Sequence, residues 1–369
     1  MLHFTAYPNQ SRSIMRKNVL LAAAGLAVLP VVSNAAAPTL GEVLDASGIS
    51  ATGHASASYA YQKVKTGAGA SASTNTFGFD QAELLVSKLP AEGFGAAVDV
   101  FAGKDVVGGN YNYAGGFNKF GGGGEFNLHQ AYVQYATGGL TVIGGKFATL
   151  AGYEVASDVL NTNATRSILF ANQPFTLTGV RAGYKFNDLV TVYGGVNNSA
   201  AGSVTDANTQ KTVELGVALA PLTGLTVNVT DYIGNEGGPG NKTNLLDLVT
   251  AYTLGDLSLG LNADYNTMKV SGGGVDLKFT GVALYANYQI VPSFRAGIRG
   301  EVTQSKDSNA NTKGKSNEIT LTGDYSAAKN FDIVSDLRFG KGDQLAGTFT
   351  NAADDTKTTA FVVKAIYKF

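Results

Sequence analysis

The chain has 369 residues, a formal net charge of −1, no cysteine and only 15% charged residues. Soluble domains carry about 25% charged residues, so this composition is unusual for a soluble protein, while the mean hydropathy of +0.03 is too low for a bundle of membrane-spanning helices. The absence of cysteine excludes disulfides and thiolate metal sites, and the charge balance argues against nucleic acid as a partner.

The first 35 residues predict a secretory signal peptide. The basic pair at 16–17 precedes an apolar run from 19 to 32, and Ser33-Asn34-Ala35 supplies a small-x-Ala cleavage site. We expect cleavage after Ala35, with Ala37 as the alternative, and interpret residues 1–14 as an over-extended start. A membrane anchor is the competing interpretation, but the run is shorter than the ~20 residues that a span needs. Removal of residues 1–35 takes away three basic residues and no acid, so the net charge changes from −1 to −4.

Residues 36–48 predict a short periplasmic segment, with a brief helix that Thr39 caps. From residue 49 onward, apolar and polar residues alternate with the period of two that is typical of half-buried strands. The pattern predicts sixteen strands, at 49–64, 76–89, 93–105, 125–137, 140–148, 176–186, 189–198, 210–220, 224–234, 243–254, 257–269, 275–290, 293–304, 315–326, 330–341 and 357–369.

The connections between these strands alternate between short and long. The short ones are rich in Gly, Pro, Asn and Asp, which favour tight turns, and they lie at 90–93, 137–139, 187–188, 221–224, 255–256, 291–293 and 327–330. The long polar loops lie at 65–75, 106–124, 149–175, 199–209, 235–242, 270–274, 305–314 and 342–356. Short periplasmic turns and long extracellular loops are typical of outer-membrane β-barrels.

The two faces of each strand support the same architecture. In 294–303, for example, Phe294 and Ile298 alternate with Arg295, Arg299 and Glu301. A charge that faces lipid costs about 2–4 kcal/mol at mid-membrane, so the apolar faces belong outside. The other faces are too charged for a dry core and need water. The sequence therefore predicts an all-β fold, a transmembrane antiparallel β-barrel of about 16 strands over 49–369, with a water-filled interior.

The last strand alternates in the same way and ends on an aromatic residue. Phe361, Tyr367 and Phe369 share its apolar face, while Lys364 lies on the other. We expect this strand to close the barrel against 49–64.

Several short motifs resemble those of the OmpL-like outer-membrane β-barrel porins of Gram-negative bacteria. The motifs are Leu40-Gly-Glu-Val-Leu44, Lys88-Leu-Pro-Ala-Glu-Gly93, Gly145-Lys-Phe147, Gly152-Tyr-Glu154, Pro174-Phe175, Thr178-Gly-Val-Arg181 and Gly194-Gly-Val-Asn197. The likeness runs from about residue 40 to the end and is strongest over 140–197; the Asn-Ser-Ala-Ala after residue 197 departs from it. It implies an outer-membrane channel, and Phe369 resembles the terminal signal that the barrel-assembly machinery recognises.

The resemblance also implies that the longest loop, 149–175, folds into the lumen and narrows it. Glu154, Asp158 and Arg166 are the predicted constriction charges. Alternatively, they are solvated surface charges, or Arg166 is a tether that pairs with Glu154. The glycine-rich segment 106–124 has no Gly-Lys-Ser/Thr sequence for holding phosphate and is interpreted as an external loop.

Other charges are expected on the pore wall. Alternation places most of them there, and Lys146 is expected there because it lies near the root of the loop. They are Lys146, Arg181, Glu83, Asp99, Arg299, Asp336 and Lys364. Rings of charge select ions by sign, but here both signs occur and predict a mixed field. The alternative is that these charges pair across the lumen and stiffen the barrel.

No motif indicates an enzyme, a cofactor or a metal. The mature chain has two histidines, His54 and His129, and lacks the Gly-x-Ser-x-Gly and His-Glu-x-x-His motifs. We therefore predict an outer-membrane porin that passes ions and small hydrophilic solutes passively, with membrane lipid and the assembly machinery as partners and a homotrimer as its assembly. A barrel with a blocked lumen that acts as an adhesin, receptor or scaffold is the first alternative, and a secreted soluble β-rich protein is the second.

Overall fold

The computed structural model describes residues 39–104, 126–199, 209–235, 240–272, 276–342 and 355–369. The predicted signal peptide (1–35) and the loop 106–124 lie outside these residues. So do most of the predicted loops 199–209 and 342–356, and parts of 235–242 and 270–274.

A short helix, α1 (Leu40–Ser47), precedes the sheet. Thr39 caps it as predicted: the Thr39 Oγ1 accepts a hydrogen bond from the Glu42 N–H at 3.3 Å, and the Glu42 carboxylate accepts one from the Thr39 N–H at 2.7 Å. Together the two bonds form a reciprocal capping box. Within the described ranges, no helix has both the length and the apolar character that a membrane span requires.

The described ranges contain sixteen strands after this helix, as predicted, and two single turns of 3-10 helix (Asp158–Leu160 and Phe170–Asn172) between the fifth and the sixth strand. The strands are β1 (Ser50–Lys65), β2 (Ser71–Lys88), β3 (Gly93–Ala102), β4 (Phe126–Thr137), β5 (Leu140–Ala148), β6 (Thr176–Lys185), β7 (Val190–Asn197), β8 (Thr212–Leu222), β9 (Leu225–Gly234), β10 (Lys242–Leu254), β11 (Leu257–Lys269), β12 (Asp276–Val291), β13 (Phe294–Asp307), β14 (Thr312–Ala328), β15 (Phe331–Gly342) and β16 (Thr356–Lys368).

The sheet is a closed antiparallel barrel. Each strand pairs with the next along the chain, and β16 pairs with β1 to complete the circle. Closure removes both sheet edges, so every strand has a partner on each side.

Two connections predicted to be long loops are tight turns instead. β2 begins at Ser71 rather than 76, and β14 begins at Thr312 rather than 315, which leaves 66–70 and 308–311 as the connections. The polar segment 71–76 shows little apolar alternation, but its backbone pairs residue by residue with β1 as far as Lys65. Backbone hydrogen bonds need no apolar side chains, so alternation underestimates the length of a strand that extends beyond the membrane.

The outward faces of the strands are apolar and exposed. The inward faces are largely buried and combine polar side chains with apolar clusters, such as the one that contains Ile143, Phe147 and Leu245. On β14, for example, Ile319 and Leu321 are exposed, whereas Glu318, Thr320 and Thr322 are buried. The inward charges therefore have contacts inside the barrel, which the third long loop supplies.

Phe369 completes the closure of the barrel. Its N–H donates to the Gly53 carbonyl at 2.9 Å, and its carbonyl accepts from the Gly53 N–H at 3.0 Å. The Phe369 ring lies where a β-carbon on residue 53 would be, at 2.7 Å, so this position of β1 requires a glycine.

Candidate functional site

The loop of residues 149–175, called the third loop below, lies against the inner wall of the barrel. It makes hydrogen bonds with inward side chains of strands on opposite sides of the circle: β1, β2, β9, β10, β11, β13, β14, β15 and β16. Most of its residues are buried. The third loop and the wall therefore form one packed interior, in which hydrogen-bonded polar groups lie beside apolar clusters.

The start of the third loop is held by Tyr232 on β9. The Tyr232 hydroxyl accepts a hydrogen bond from the Leu150 N–H at 2.9 Å and donates one to Glu214 on β8 at 2.8 Å. Arg181 on β6 donates to both oxygens of Glu214, at 2.8 and 2.6 Å. This bidentate pair is buried, and it holds Glu214 in place to accept from Tyr232, the residue that binds the start of the loop.

A second attachment joins both ends of the third loop to β10 and β11. The Gly152 N–H donates to Asp247 and the Tyr153 N–H donates to Asn262, each at 3.2 Å. From the other end of the loop, the Gln173 side-chain amide donates to Asn262 at 2.9 Å and to Asp264 at 2.8 Å.

Glu154 makes the central attachment. One of its oxygens accepts from the Arg299 guanidinium at 2.7 Å, and the other accepts from the Ser167 N–H at 2.7 Å. Arg299, on β13, has no exposed surface and donates further to the Thr165 carbonyl at 2.9 Å and to Thr320 at 3.0 Å. One buried guanidinium thus joins two separate parts of the loop to the wall.

Asp158 makes a further attachment to β16 and β1, three and four strands along the wall from β13. Its carboxylate accepts from Lys364 on β16 at 2.9 Å, from Arg166 at 3.0 Å and from the Ser56 hydroxyl on β1 at 2.7 Å. Burial by itself raises the pKa of Asp158, but Lys364 and Arg166 outweigh it and hold that pKa below the ordinary aspartate value.

Three more contacts complete the ring of attachments. Thr165 donates to Asp336 on β15 through its N–H at 2.8 Å and its hydroxyl at 2.6 Å. The Ile168 N–H donates to Glu301 on β13 at 2.7 Å. The Ser157 hydroxyl donates to Glu83 on β2.

Apolar contacts support these polar ones, and two wall glycines make room for them. The Tyr153 ring stacks on Tyr285 with 4.2 Å between the ring centroids. A β-carbon at Gly260 would lie 2.4 Å from the Tyr153 ring, and one at Gly281 would lie 2.0 Å from the Leu169 side chain. Both glycines are therefore needed for the loop to approach the sheet.

Beside Asp158, a cavity of about 190 Å³ lies between the third loop and the wall. Its charged lining consists of four basic and two acidic side chains: Lys104, Arg166, Arg338, Lys364, Asp80 and Asp158. Each acid contacts a base, since Asp80 is 2.6 Å from Lys104 and Asp158 bonds Lys364 and Arg166. Arg338 is paired with Glu318, which lies outside the lining. The side chains that line the cavity therefore carry more positive than negative charge, but each base has an acidic partner nearby.

The predicted constriction residues all lie inside the barrel, but in different environments. Asp158 and Arg166 line the cavity, whereas Glu154 is buried against Arg299. Arg166 pairs with Asp158 and also donates to the Val155 and Ala156 carbonyls at 2.9 and 3.0 Å. The tether between Arg166 and Glu154, which the sequence left open, is replaced by one from Arg299 to Glu154.

Among the predicted wall residues, Glu83, Arg299, Asp336 and Lys364 contact the third loop directly, and Arg181 also donates to the Ala148 carbonyl at its root. Asp99 faces inward and accepts from Gln130 on β4 at 3.0 Å, so the structure does not place it on the loop.

Lys146 is placed differently from the prediction. It pairs with Ala131 and Thr178 on the face that carries the exposed Val133 and Val180, which is the outward face. Its amine donates to the Leu128 carbonyl at 2.7 Å. The prediction placed Lys146 on the pore wall because it lies at the root of the third loop. In β5, however, the inward positions are those of its two neighbours, Gly145 and Phe147.

Asp80 was not predicted as a site residue, but it lies inside the barrel with no exposed surface. Alternation from Glu83 assigns Asp80 to the outward face. A β-bulge changes this assignment: Ser56 pairs with Gln81, the next residue Ala57 pairs with Phe79, and the unpaired Asp80 turns inward. Alternation placed Glu301 on the polar face of its strand, but it was not chosen as a candidate site residue, and neither were Glu214, Glu318 and Arg338, whose strands alternate in the same way.

A closed sixteen-stranded barrel with an apolar outer surface, a polar interior and a loop inside its lumen is the architecture of outer-membrane channels of the porin class. Sequence comparison identifies the family. Residues 48–369 match the model of the family described as "Putative beta-barrel porin-2, OmpL-like", and the chain belongs to this family. Membership and fold together point to the bacterial outer membrane and support a porin role, and this family and fold are typically non-enzymatic.

Solved structures share the fold at low sequence identity. The outer-membrane channel DcaP of Acinetobacter baumannii has a TM-score of 0.59 and 13% identity over 88% of this chain and 98% of its own. An anion-selective porin from Comamonas acidovorans has a TM-score of 0.58 and 15% identity over 87% and 99%. OmpT of Vibrio cholerae in its trimer form has a TM-score of 0.58 and 12% identity over 87% and 100%. No curated protein matches the sequence significantly.

Proposed function

We propose that the protein is an outer-membrane porin of a Gram-negative bacterium, through which ions and small hydrophilic solutes diffuse passively past a passage narrowed by the third loop. The observation that carries this proposal is the charged interior. There the loop hydrogen-bonds to the wall on opposite sides, at Tyr232 on β9 and Lys364 on β16, and leaves a charged cavity on one side. Paired charges inside a closed barrel stabilise a loop that must remain in place while water and ions move past it.

The charged residues have two roles in this proposal. Asp158 and Arg166 line the cavity and set the local field, so they form the constriction. Glu154 is a positioning residue, because its carboxylate is buried against Arg299 and holds the loop. The wall residues Arg299, Asp336, Lys364 and Glu83 act mainly by anchoring the loop, and Arg181 acts by fixing its root.

The cavity favours anions in this account, because four basic side chains face two acidic ones. Recording in a planar lipid bilayer across a salt gradient tests both parts of the proposal. We expect discrete conductance steps and a reversal potential of the sign that anion preference gives. Well-folded protein without conductance steps would refute the porin, whereas steps with cation preference would refute only the assigned selectivity.

The second candidate function is a barrel with a blocked lumen that acts as an adhesin, receptor or scaffold. The burial of Glu154, Arg299 and Asp336, each with little or no exposed surface, favours it. A docked loop that leaves no continuous water path would give the same contacts. The two candidates separate in the bilayer, because only the porin conducts.

Assembly and export complete the proposal. Residues 1–35 are cleaved as a signal peptide and 36–48 remain as a periplasmic segment. The barrel-assembly machinery recognises Phe369, and three copies assemble as a homotrimer. The trimer form of the V. cholerae OmpT supports this last point by its fold only. The mass of the detergent-solubilised complex, determined by light scattering with correction for bound detergent, tests it: a monomer would refute the trimer.

A further inference from the structure

Three lysines stand side by side at the long-loop end of the outward face. Lys278 on β12 pairs directly with Lys306 on β13, which pairs directly with Lys313 on β14. All three are exposed. They share the outward face with Val282, Val302 and other exposed apolar residues of these strands. We call this row the first lysine ladder.

A second ladder crosses the seam where the barrel closes. Lys341 on β15 pairs with Lys357 on β16, and Lys357 pairs with Lys65 on β1. Lys242 on β10 and Lys269 on β11 form another opposed pair. A lysine therefore occupies the long-loop end of the outward face on each of eight adjacent strands, β10 to β16 and β1.

The distribution of these lysines is one-sided along the membrane normal. At the short-turn end, the outward positions of the same strands are apolar, such as Leu254, Leu257, Ile290, Phe294 and Tyr325. If these lysines served only to reach water from the edge of the apolar band, they would be expected at both ends of the barrel. The long-loop end faces the outside of the cell, so the lysines mark the level of the outer leaflet.

Opposed lysines in a sheet repel each other and destabilise the pairing unless an anion lies between them. Few acids on this face supply one. Among the described residues of the eight strands, Asp276 lies opposite Lys269, and Asp355, just before β16, is 3.3 Å from Lys341. The first ladder has no acid in its row. The Lys278 amine lies 4.6 Å from the centroid of the Tyr265 ring on β11. Because neighbouring strands are only about 5 Å apart, the long side chains of the three lysines can turn toward the oxygens of one phosphate.

We propose that this lysine face, defined by the two ladders and the pair Lys242–Lys269, binds the phosphate-bearing head groups of glycolipids in the outer leaflet. The height of the lysines above the apolar band and their positive charge fit an anionic lipid head group whose acyl chains lie along the band below. The lipid spans the repelling amines and stabilises the outer rim on this side of the barrel. The inference is independent of whether the lumen conducts.

The test compares lipid binding by the purified full-length barrel in detergent, counted by native mass spectrometry. The probes are diphosphorylated lipid A, the same lipid without phosphates, and inorganic phosphate alone. Each lysine contributes about fivefold near an anionic surface, so K278Q/K306Q/K313Q should bind diphosphorylated lipid A about a hundredfold more weakly. The matched control is K88Q/K185Q/K329Q, which removes three exposed lysines from the opposite end and should bind like the wild type.

Equal binding by the wild type and the ladder variant, equal loss in the control variant, or equal binding of the lipid with and without phosphates would each overturn the proposal. Inorganic phosphate that binds as tightly as the lipid would also overturn it, because the site would then recognise free phosphate and not a lipid head group. If the first triple variant does not fold, K65Q/K357Q tests the second ladder independently, with an expected loss of about 25-fold.

Discussion

Replacing Glu154 with glutamine tests whether a single buried contact holds the third loop in the lumen. The wild-type carboxylate accepts one hydrogen bond from Arg299 and one from the Ser167 N–H, both at 2.7 Å. A glutamine of nearly the same shape offers one oxygen and one amide group, so one of these two donors must face another donor. E154Q therefore loses a charged, buried hydrogen bond without creating a large cavity.

The magnitude follows from the environment of the pair. Arg299 has no exposed surface, and breaking a buried ion pair by removing one partner costs about 3–5 kcal/mol. Arg299 keeps Glu318 at 3.3 Å as a second carboxylate, so the lower end of this range applies. A loss of about 3 kcal/mol changes the ratio of docked to released loop by more than about a hundredfold.

Two measurements report this release. Single-channel recording of E154Q should show larger or fluctuating conductance, and limited proteolysis should cut the third loop faster in E154Q than in the wild type, where most loop residues are buried. The control is E92Q, because Glu92 is an exposed turn residue that accepts a hydrogen bond from the Gly138 N–H at 2.8 Å and lies far along the chain from the third loop. If E154Q keeps both the conductance and the protease resistance of the wild type, Glu154 does not hold the loop.

Four further predictions follow from the same geometry. D158N removes one of two acids from the cavity, so the reversal potential should shift toward anions; an unchanged potential would remove Asp158 from the passage. The pKa of Asp158 is held below the ordinary aspartate value, so its carboxylate anchors the loop at every pH above the ordinary value and loses this role only as the pH falls through the lowered pKa. Wild type and D158N should therefore still differ in loop proteolysis at about pH 4. G260V should displace the Tyr153 ring, which leaves 2.4 Å for a new β-carbon, and raise the open-channel conductance; a wild-type conductance would show that the ring can adapt. Deletion of Phe369 removes both backbone hydrogen bonds to Gly53. It should lower the yield of heat-modifiable barrel more than the conductance of the molecules that fold. An undiminished yield would contradict the role of Phe369 in assembly.

The sequence predicted the sixteen strands and their order because alternation is a strong signal when one face meets lipid and the other a polar interior. In β13, Phe294 and Ile298 alternate with Arg299 and Glu301, and the structure keeps this alternation throughout the strand. Strand ends were less well predicted where they extend beyond the apolar band, as at 71–76, because no lipid contact imposes alternation there.

The inner contacts could be predicted less well, because they depend on how one long loop folds. Alternation placed Arg299 and Lys364 inside, but nothing in the sequence indicated that Arg299 meets Glu154 and Lys364 meets Asp158 across 145 and 206 positions of the chain. Asp80 was lost to a β-bulge, which shifts the alternation by one residue and leaves no clear sequence signal.

The most direct test of the proposed function is conductance of the wild-type protein in a planar bilayer, with heat-modifiable gel migration as the check that the barrel is folded. The account predicts discrete conductance steps, and a reversal potential in a salt gradient that favours anions because Lys104, Arg166, Arg338 and Lys364 outnumber the acids of the cavity. Folded barrels that insert into the bilayer and produce no steps would contradict the account and leave a lumen blocked by its own loop.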